Sequence, residues 1–252
     1  MDSHPAILET RGLTREFSGF VAVSDVNFTV RSGMLHALIG PNGAGKSTLF
    51  NLLTRFLAPS AGQIFYDGQD ITKARPASLA RRGLVRSFQI SSVFPHLSVH
   101  ENVRVALQSK HAETFGFWKS DVGLSKYDDA VDSLLADVGL EPYAQRIAVE
   151  LPYGRKRALE LATTLAMEPR VILLDEPMAG MGQEDIQRTA QLIQRVAKGR
   201  TVVMVEHNLS VVADISDRIT VLRRGEIIAE GDYDTVSADP EVRQAYIGGS
   251  HD

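Results

Sequence analysis

Apolar and polar positions alternate from Ile7 to Val30. In VSDVNFTV, Val23, Val26, Phe28 and Val30 predict strands of an antiparallel sheet. HALIG at 36–40 is a short apolar run ending in glycine and predicts a buried strand. STLFNLLTRFL at 47–57 predicts the helix that follows, and GQIFYDGQD at 62–70 a further strand running into a turn.

From about residue 91 to 165 the β-branched runs vanish and helical spacing takes over. DDAVDSLLADVGL at 128–140 sets Val131, Leu134, Leu135 and Val138 on one face, with Gly139 as the stop. RKRALELATTLA at 155–166 repeats the pattern with Ala158, Leu161, Ala162 and Leu165. This stretch predicts a helical subdomain. Strand and helix then alternate again. VILLD at 171–175 and TVVMVEH at 201–207 predict buried strands. The helix between them, at 185–198, would bury Ile186, Ala190, Ile193 and Ala197. RITVLRRGEIIAEGD at 218–232 predicts a hairpin turning near Arg224-Gly225. Strands alternating with helices predict a mainly parallel α/β sheet covered on both faces, to which the antiparallel N-terminal piece is an addition.

Composition narrows the function. The 252 residues are 44% hydrophobic and 23% charged, as in ordinary globular chains. There is no cysteine, which excludes disulfides, cysteine-ligated metal and thiol catalysis and fits a reducing compartment. With 27 basic and 31 acidic residues the net charge is −4, without the basic excess of a nucleic-acid binder. No stretch reaches the ~18 apolar residues of a membrane span, and MDSHPAILETRG lacks the features of a secretory signal. The expected location is the cytoplasm, with any work at a membrane done through a partner.

GPNGAGKS at 40–47 carries the strongest chemical signal, because it fits G-x-x-x-x-G-K-[ST] between a predicted strand and a predicted helix. Gly40, Gly43 and Gly45 permit backbone angles that turn successive N–H groups toward one point. The loop Gly40, Pro41, Asn42, Gly43, Ala44, Gly45, together with Lys46, Ser47 and Thr48 at the helix start, then forms a phosphate cradle. Lys46 would reach the β- and γ-phosphates, and Ser47 would ligate Mg²⁺. VILLDE at 171–176 ends an apolar strand in two acids at the sheet edge where nucleotides bind: Asp175 to hold Mg²⁺, Glu176 to polarise the attacking water. His207 ends a strand of the same sheet and could reach the γ-phosphate. Gln89 sits where strand text passes into helical text and could sense Mg²⁺ or the attacking water. LPYGRKR at 151–157 precedes a helix, and Gly154 offers N–H groups to an anion.

Taken in order, these motifs resemble an ATP-binding cassette (ABC) ATPase: Walker A at 40–47, a glutamine loop at Gln89, a signature at 151–155, Walker B at 171–176 and a switch histidine at His207. The similarity spans essentially the whole chain. It implies a P-loop NTPase, RecA-like core from about 1–90 and 166–252 with an antiparallel β-subdomain, and a helical subdomain at about 91–165. It also implies ATP hydrolysis with Mg²⁺ by two cassettes packed head to tail. Each γ-phosphate would lie between one Walker A and the other cassette's signature, to which Leu151, Tyr153 and Gly154 belong. Phe17 aligns with the aromatic that stacks on adenine, with a core strand aromatic as the close second reading of that position. LTREFSGFVAVSDVNFTV, GLVRSFQISSVFPHLSVHENV, the Tyr-Gly signature and ADPEVRQAYIGGS are most similar to ATPases of branched-chain amino acid importers. Such systems pair two ATPases with two permeases and a periplasmic binding protein, which implies the cytoplasmic face of a bacterial inner membrane.

The chain departs from the family pattern in three ways. Pro152 replaces a serine that would contact the γ-phosphate, Arg155 replaces glutamine and adds charge, and Gly182 stands where an aspartate communicates across the dimer. One composite site could therefore be weaker. A soluble ABC ATPase and a non-hydrolysing regulatory module are the rival readings. Phe115, Phe117 and Trp118 read as packing between helices or as a permease contact. The basic group Arg75, Arg81, Arg82 and Arg86 reads as a solvated face.

Overall fold

A computed structural model describes residues 4–87, 93–111 and 127–247. The N-terminal strands are β1 (Ala6–Phe17), β2 (Phe20–Val26) and β3 (Thr29–Arg31), followed by β4 (Leu35–Ile39) and helix α1 (Lys46–Leu53). Next come β5 (Ala61–Tyr66), β6 (Gln69–Asp70), α2 (Pro76–Arg81) and β7 (Leu84–Ser87). Helices α3 (Val99–His111), α4 (Asp128–Val138) and α5 (Tyr153–Leu165) fill the middle. Then β8 (Val171–Asp175), α6 (Gln183–Ala197), β9 (Thr201–Val205) and α7 (Leu209–Ile215) alternate. The hairpin of β10 (Arg218–Arg223) and β11 (Glu226–Gly231) leads to α8 (Tyr233–Ala238) and α9 (Pro240–Ile247).

The strands form two sheets. One is antiparallel, in the order β2-β1-β5-β6 with β3 also on β1; the other runs β11-β10-β4-β9-β8-β7. In the second sheet β10, β4, β9, β8 and β7 are parallel, and only β11 is antiparallel to its neighbour. Its central strands β4, β9 and β8 are almost wholly buried because both faces are covered. Leu38, Leu173, Val203 and Leu222 face α1 and the antiparallel sheet. Ala37, Ile39, Ile172, Leu174, Val202 and Met204 face the helices on the other side.

The helices follow their apolar stripes. Val131, Leu135 and Val138 of α4 are buried, each contributing about 1.5–3 kcal/mol, and Gly139 closes the helix at φ 69°. In α5 all four expected positions, Ala158, Leu161, Ala162 and Leu165, are buried. Two expectations need correcting. The α6 stripe is centred on Thr189, Leu192, Ile193 and Val196, while Ile186, Ala190 and Ala197 lie at its partly buried edge. Spacing defines a stripe to within one position; packing against the neighbouring helices α5 and α7 decides its centre. Helix α1 ends at Leu53, four residues before Leu57, where Arg55 takes φ 61°. Residues 115, 117 and 118 lie outside the described residues.

A buried polar chain joins β4 to the hairpin. Arg218 and Thr220 both donate to Glu230. Thr220 Oγ1 therefore accepts from His36 Nε2, 2.7 Å away, which assigns His36 the Nε2–H tautomer. Burial, aided by the nearby Arg218 charge, pushes the His36 pKa down to about 3, so the ring is neutral in the folded protein.

Candidate nucleotide site

Strands β8, β9 and β4 are consecutive neighbours, so their carboxyl ends bring three separate loops to one edge. The loop after β4 is held open by geometry that only glycine supplies. A Cβ on Gly40 would lie 2.1 Å from the Leu222 carbonyl oxygen, and one on Gly45 would lie 2.4 Å from that of Ala22. Gly43 meets nothing within 4 Å, and its requirement is the left-handed φ of 77°.

Lys46 opens α1 with its side chain turned back under the loop, where it is 6% exposed. Its ammonium donates to the carbonyls of Gly40 at 2.7 Å and Pro41 at 2.9 Å. Burial lowers its pKa, and the charges of Glu176 and Asp175 oppose that shift. A lysine ammonium carries three donors, so one remains to meet an anion at the loop. Ser47 is exposed on the first turn of α1, with Thr48 beside it.

Asp175 ends β8, and Glu176 follows it in a left-handed conformation at φ 47°, its N–H bonded to Val205 O at 3.0 Å. This turn presents the Glu176 side chain to His207, two residues beyond the end of β9. Glu176 Oε1 lies 2.7 Å from His207 Nε2. The charges of Glu176 and Asp175 act on Lys46, and the contact of His207 with Glu176 adds the loop after β9.

Two residues of this site were missed in the sequence. Glu206 is 4% exposed and joins the two acidic-loop ends, accepting from Met178 N–H and His207 N–H, each at 3.0 Å. Burial raises its pKa, against the backbone bonds it accepts. An acid inside the otherwise apolar TVVMVEH was the signal for it. The second is Arg86, which corrects the reading of a solvated basic face. Its side chain is 3% exposed and paired with Asp175. Strand β7 neighbours β8 in register, Arg86 opposite Leu173, so the side chain is drawn toward the acid at the strand end rather than toward water.

Phe17 is 40% exposed near the tip of the β1–β2 hairpin, with the Arg15 guanidinium 4.5 Å over its ring. It is a surface aromatic rather than a core one. Tyr153 and Gly154 do not join the phosphate loop of their own chain. The Tyr153 hydroxyl donates to Ala179 O at 3.1 Å, and Gly154 packs against the Asp185 carboxylate. Pro152 is the residue before α5. Arg155 is turned to the carboxyl end of α4, donating to Gly139 O at 3.2 Å with its guanidinium over Tyr143. Gln89 lies outside the described residues.

A glycine loop with a buried lysine, facing two acids and a histidine, makes a site for a nucleoside triphosphate. Residues 23–179 match the family described as ABC transporter. The chain belongs to the ABC transporter family. This cassette is an ATPase by that membership. Residues 226–252 match a second family, branched-chain amino acid ATP-binding cassette transporter. The cassette is 37% identical over 250 residues to the high-affinity branched-chain amino acid transport ATP-binding protein BraF of Pseudomonas aeruginosa, covering 96% of this chain and 98% of that protein. It is 35% identical over 249 residues to LivG of Escherichia coli, of the same description, covering 96% and 98%. The ADP conformation of MJ1267, an ATP-binding cassette of an ABC transporter, superposes with a TM-score of 0.82 at 30% identity, covering 97% of the cassette and 99% of that chain.

Proposed function

We propose that this chain is the ATP-hydrolysing subunit of a bacterial importer of branched-chain amino acids or related small carboxylates. The observation that carries the reading is the meeting of Lys46, Asp175, Glu176 and His207 at one sheet edge. Similarity to BraF and LivG over nearly the whole chain, and the C-terminal match at 226–252, support the substrate class.

The loop 40–45 and Lys46 bind the phosphates of ATP, and Phe17 stacks on the adenine. Mg²⁺ fits the donors present. Ser47 and Asp175 offer hard oxygens, and among the described residues there is no cluster of three or more His, Cys, Asp or Glu that would form a cage of its own. When bound, Mg²⁺ neutralises charge on the phosphate oxygens; Ser47 and Asp175 would hold it, and Gln89 is the further ligand that the family resemblance implies. Glu176 orients a water and accepts its proton as the water oxygen bonds to the γ-phosphorus and the bond to the ADP oxygen breaks. His207 Nε2–H, bonded to Glu176 in the described structure, is the donor that would turn to the γ-phosphate when ATP binds. Tyr153 bonds to Ala179 and Gly154 lies against Asp185 rather than at their own phosphate loop, which supports a second cassette, paralogue or self, taking this signature at its nucleotide.

In this reading the chain is one cassette, with α3, α4 and α5 as its helical subdomain. Among the described residues no helix is long and apolar enough to cross a membrane. Coupling to the membrane therefore falls to two permease subunits, with a periplasmic binding protein acting through them, and the cassette sits at the cytoplasmic face of the inner membrane. A pull-down of the Glu176→Gln chain with ATP from solubilised host membranes tests this. Two polytopic permeases and a second cassette are expected. Recovery of soluble partners or ribosomes alone would overturn the transporter reading.

A further inference from the structure

Arg86 is set among residues of the nucleotide site. One Nη is paired with Asp175 Oδ2, and the other donates to Asn51 Oδ1 at 2.7 Å. Asn51 lies four positions after Ser47 in α1, hence on the same face of that helix. The guanidinium also lies 5.8 Å from the centre of the Phe50 ring. A single buried side chain on β7 thus ties the phosphate-loop helix to the acid at the end of β8. Its Nε is buried without a hydrogen-bond partner among the described residues. Removing a cation from water without meeting all its donors is costly, and Asp175 and Asn51 offset only part of that cost.

We propose that Arg86 is a positioning residue for the cation end of the site. It holds Asp175 by one carboxylate oxygen, leaves the other for Mg²⁺, and through its charge sets how tightly Mg²⁺ is held. The inference rests on the ATPase reading above. Two features of the pair carry it. Arg86 and Asp175 are 3% and 11% exposed, so water screens little of the charge that Arg86 places beside a Mg²⁺ ligand. The Asn51 bond fixes the guanidinium from the opposite side, so the acid cannot follow a bound cation freely. Without Arg86 the carboxylate would be an uncompensated charge that attracts Mg²⁺ more strongly but is no longer aimed.

The test uses the full chain and a fluorescent ATP analogue, with affinity measured across a Mg²⁺ series and turnover measured in parallel. In the natural chain, Mg²⁺-dependent nucleotide binding checks the ATPase reading itself. Comparison of variants then checks Arg86 alone. Arg86→Gln is expected to lower the half-saturating Mg²⁺ about tenfold, because the Asp175 charge is no longer offset, while lowering kcat, as loss of a residue behind a metal ligand typically costs about 10–100-fold in affinity or activity. Arg86→Lys keeps the charge but not the two-armed reach, so half-saturating Mg²⁺ should stay within about twofold while kcat falls. Asn51→Ala should behave like Arg86→Lys. A folded Arg86→Gln chain with unchanged or raised half-saturating Mg²⁺ would overturn the proposal, because a purely structural arginine would lower only the melting temperature. Should Arg86→Gln not fold, Arg86→Lys decides: a shifted Mg²⁺ requirement or an undiminished kcat overturns it equally.

Discussion

His207 Nε2 lies 2.7 Å from Glu176 Oε1, although the two residues are 31 positions apart. The bond exists because β8 and β9 are parallel neighbours with Asp175 opposite Val205, so the residues just beyond their ends face each other. It orients the carboxylate that, in the proposed reading, takes a proton from water.

Glu176→Gln keeps the shape and a hydrogen bond to His207 but removes the base. Nucleotide affinity should stay within about threefold, and turnover should fall at least about 100-fold, the lower range for a lost general base. Phosphate release in steady state measures it; undiminished turnover would remove Glu176 from its role.

Two substitutions in the phosphate loop should fail differently. Gly45→Ala brings a Cβ to 2.4 Å from the Ala22 carbonyl at a φ of 100°, so the loop itself must move. The expected result is a lower melting temperature together with lost nucleotide binding. Lys46→Ala removes the ammonium from an otherwise intact backbone and should weaken binding more than about tenfold, equivalent to ~1.4 kcal/mol. Titration with a fluorescent nucleotide and a thermal melt separate the two.

Glu206→Ala would leave the N–H groups of Met178 and His207 without their acceptor. Such unmet donors cost about 1–3 kcal/mol each when buried. The variant should unfold at lower urea, and its kcat should fall more than its KM changes, because the loops carrying Glu176 and His207 lose their shared anchor. Unchanged kcat in a folded variant would confine Glu206 to a stability role.

His36 links stability to acid. Its pKa is about 3 in the folded chain, against the ordinary histidine value of 6.5 that it regains on unfolding. Between those values the unfolded state binds the extra proton, so stability is full above about pH 6.5 and declines as pH falls toward 3, by up to ~1.4 kcal/mol per pH unit. His36→Phe removes this proton and should show a shallower loss between pH 6.5 and 4.5 in urea unfolding, although it gives up the bond to Thr220. Parallel slopes for both chains would refute the assignment.

Much of the site was legible because its chemistry is local. The spacing of Gly40, Gly43, Gly45, Lys46 and Ser47 is itself the proposed cradle, and Asp175-Glu176 at the end of an apolar run locates a sheet edge. The hairpin turn at Arg224-Gly225 was likewise visible, because both residues take the positive φ that this turn requires. Arg86 was misread for the opposite reason. It follows the basic residues Arg75, Arg81 and Arg82 in the chain, while its actual partner is 89 positions away.

By itself the sequence determined the main strands, the helical middle and the helix between β8 and β9, the mainly parallel sheet, the phosphate loop and the candidate acids and histidine. These depend on periodicity and spacing over a few residues. Only the tertiary structure decided that Glu176 meets His207, that Glu206 joins their loops, that Arg86 is buried against Asp175, and that Tyr153 turns to Ala179. Each of those is set by strand order and register in one sheet or by helix packing against it, and contacts between distant segments leave no local pattern in the chain.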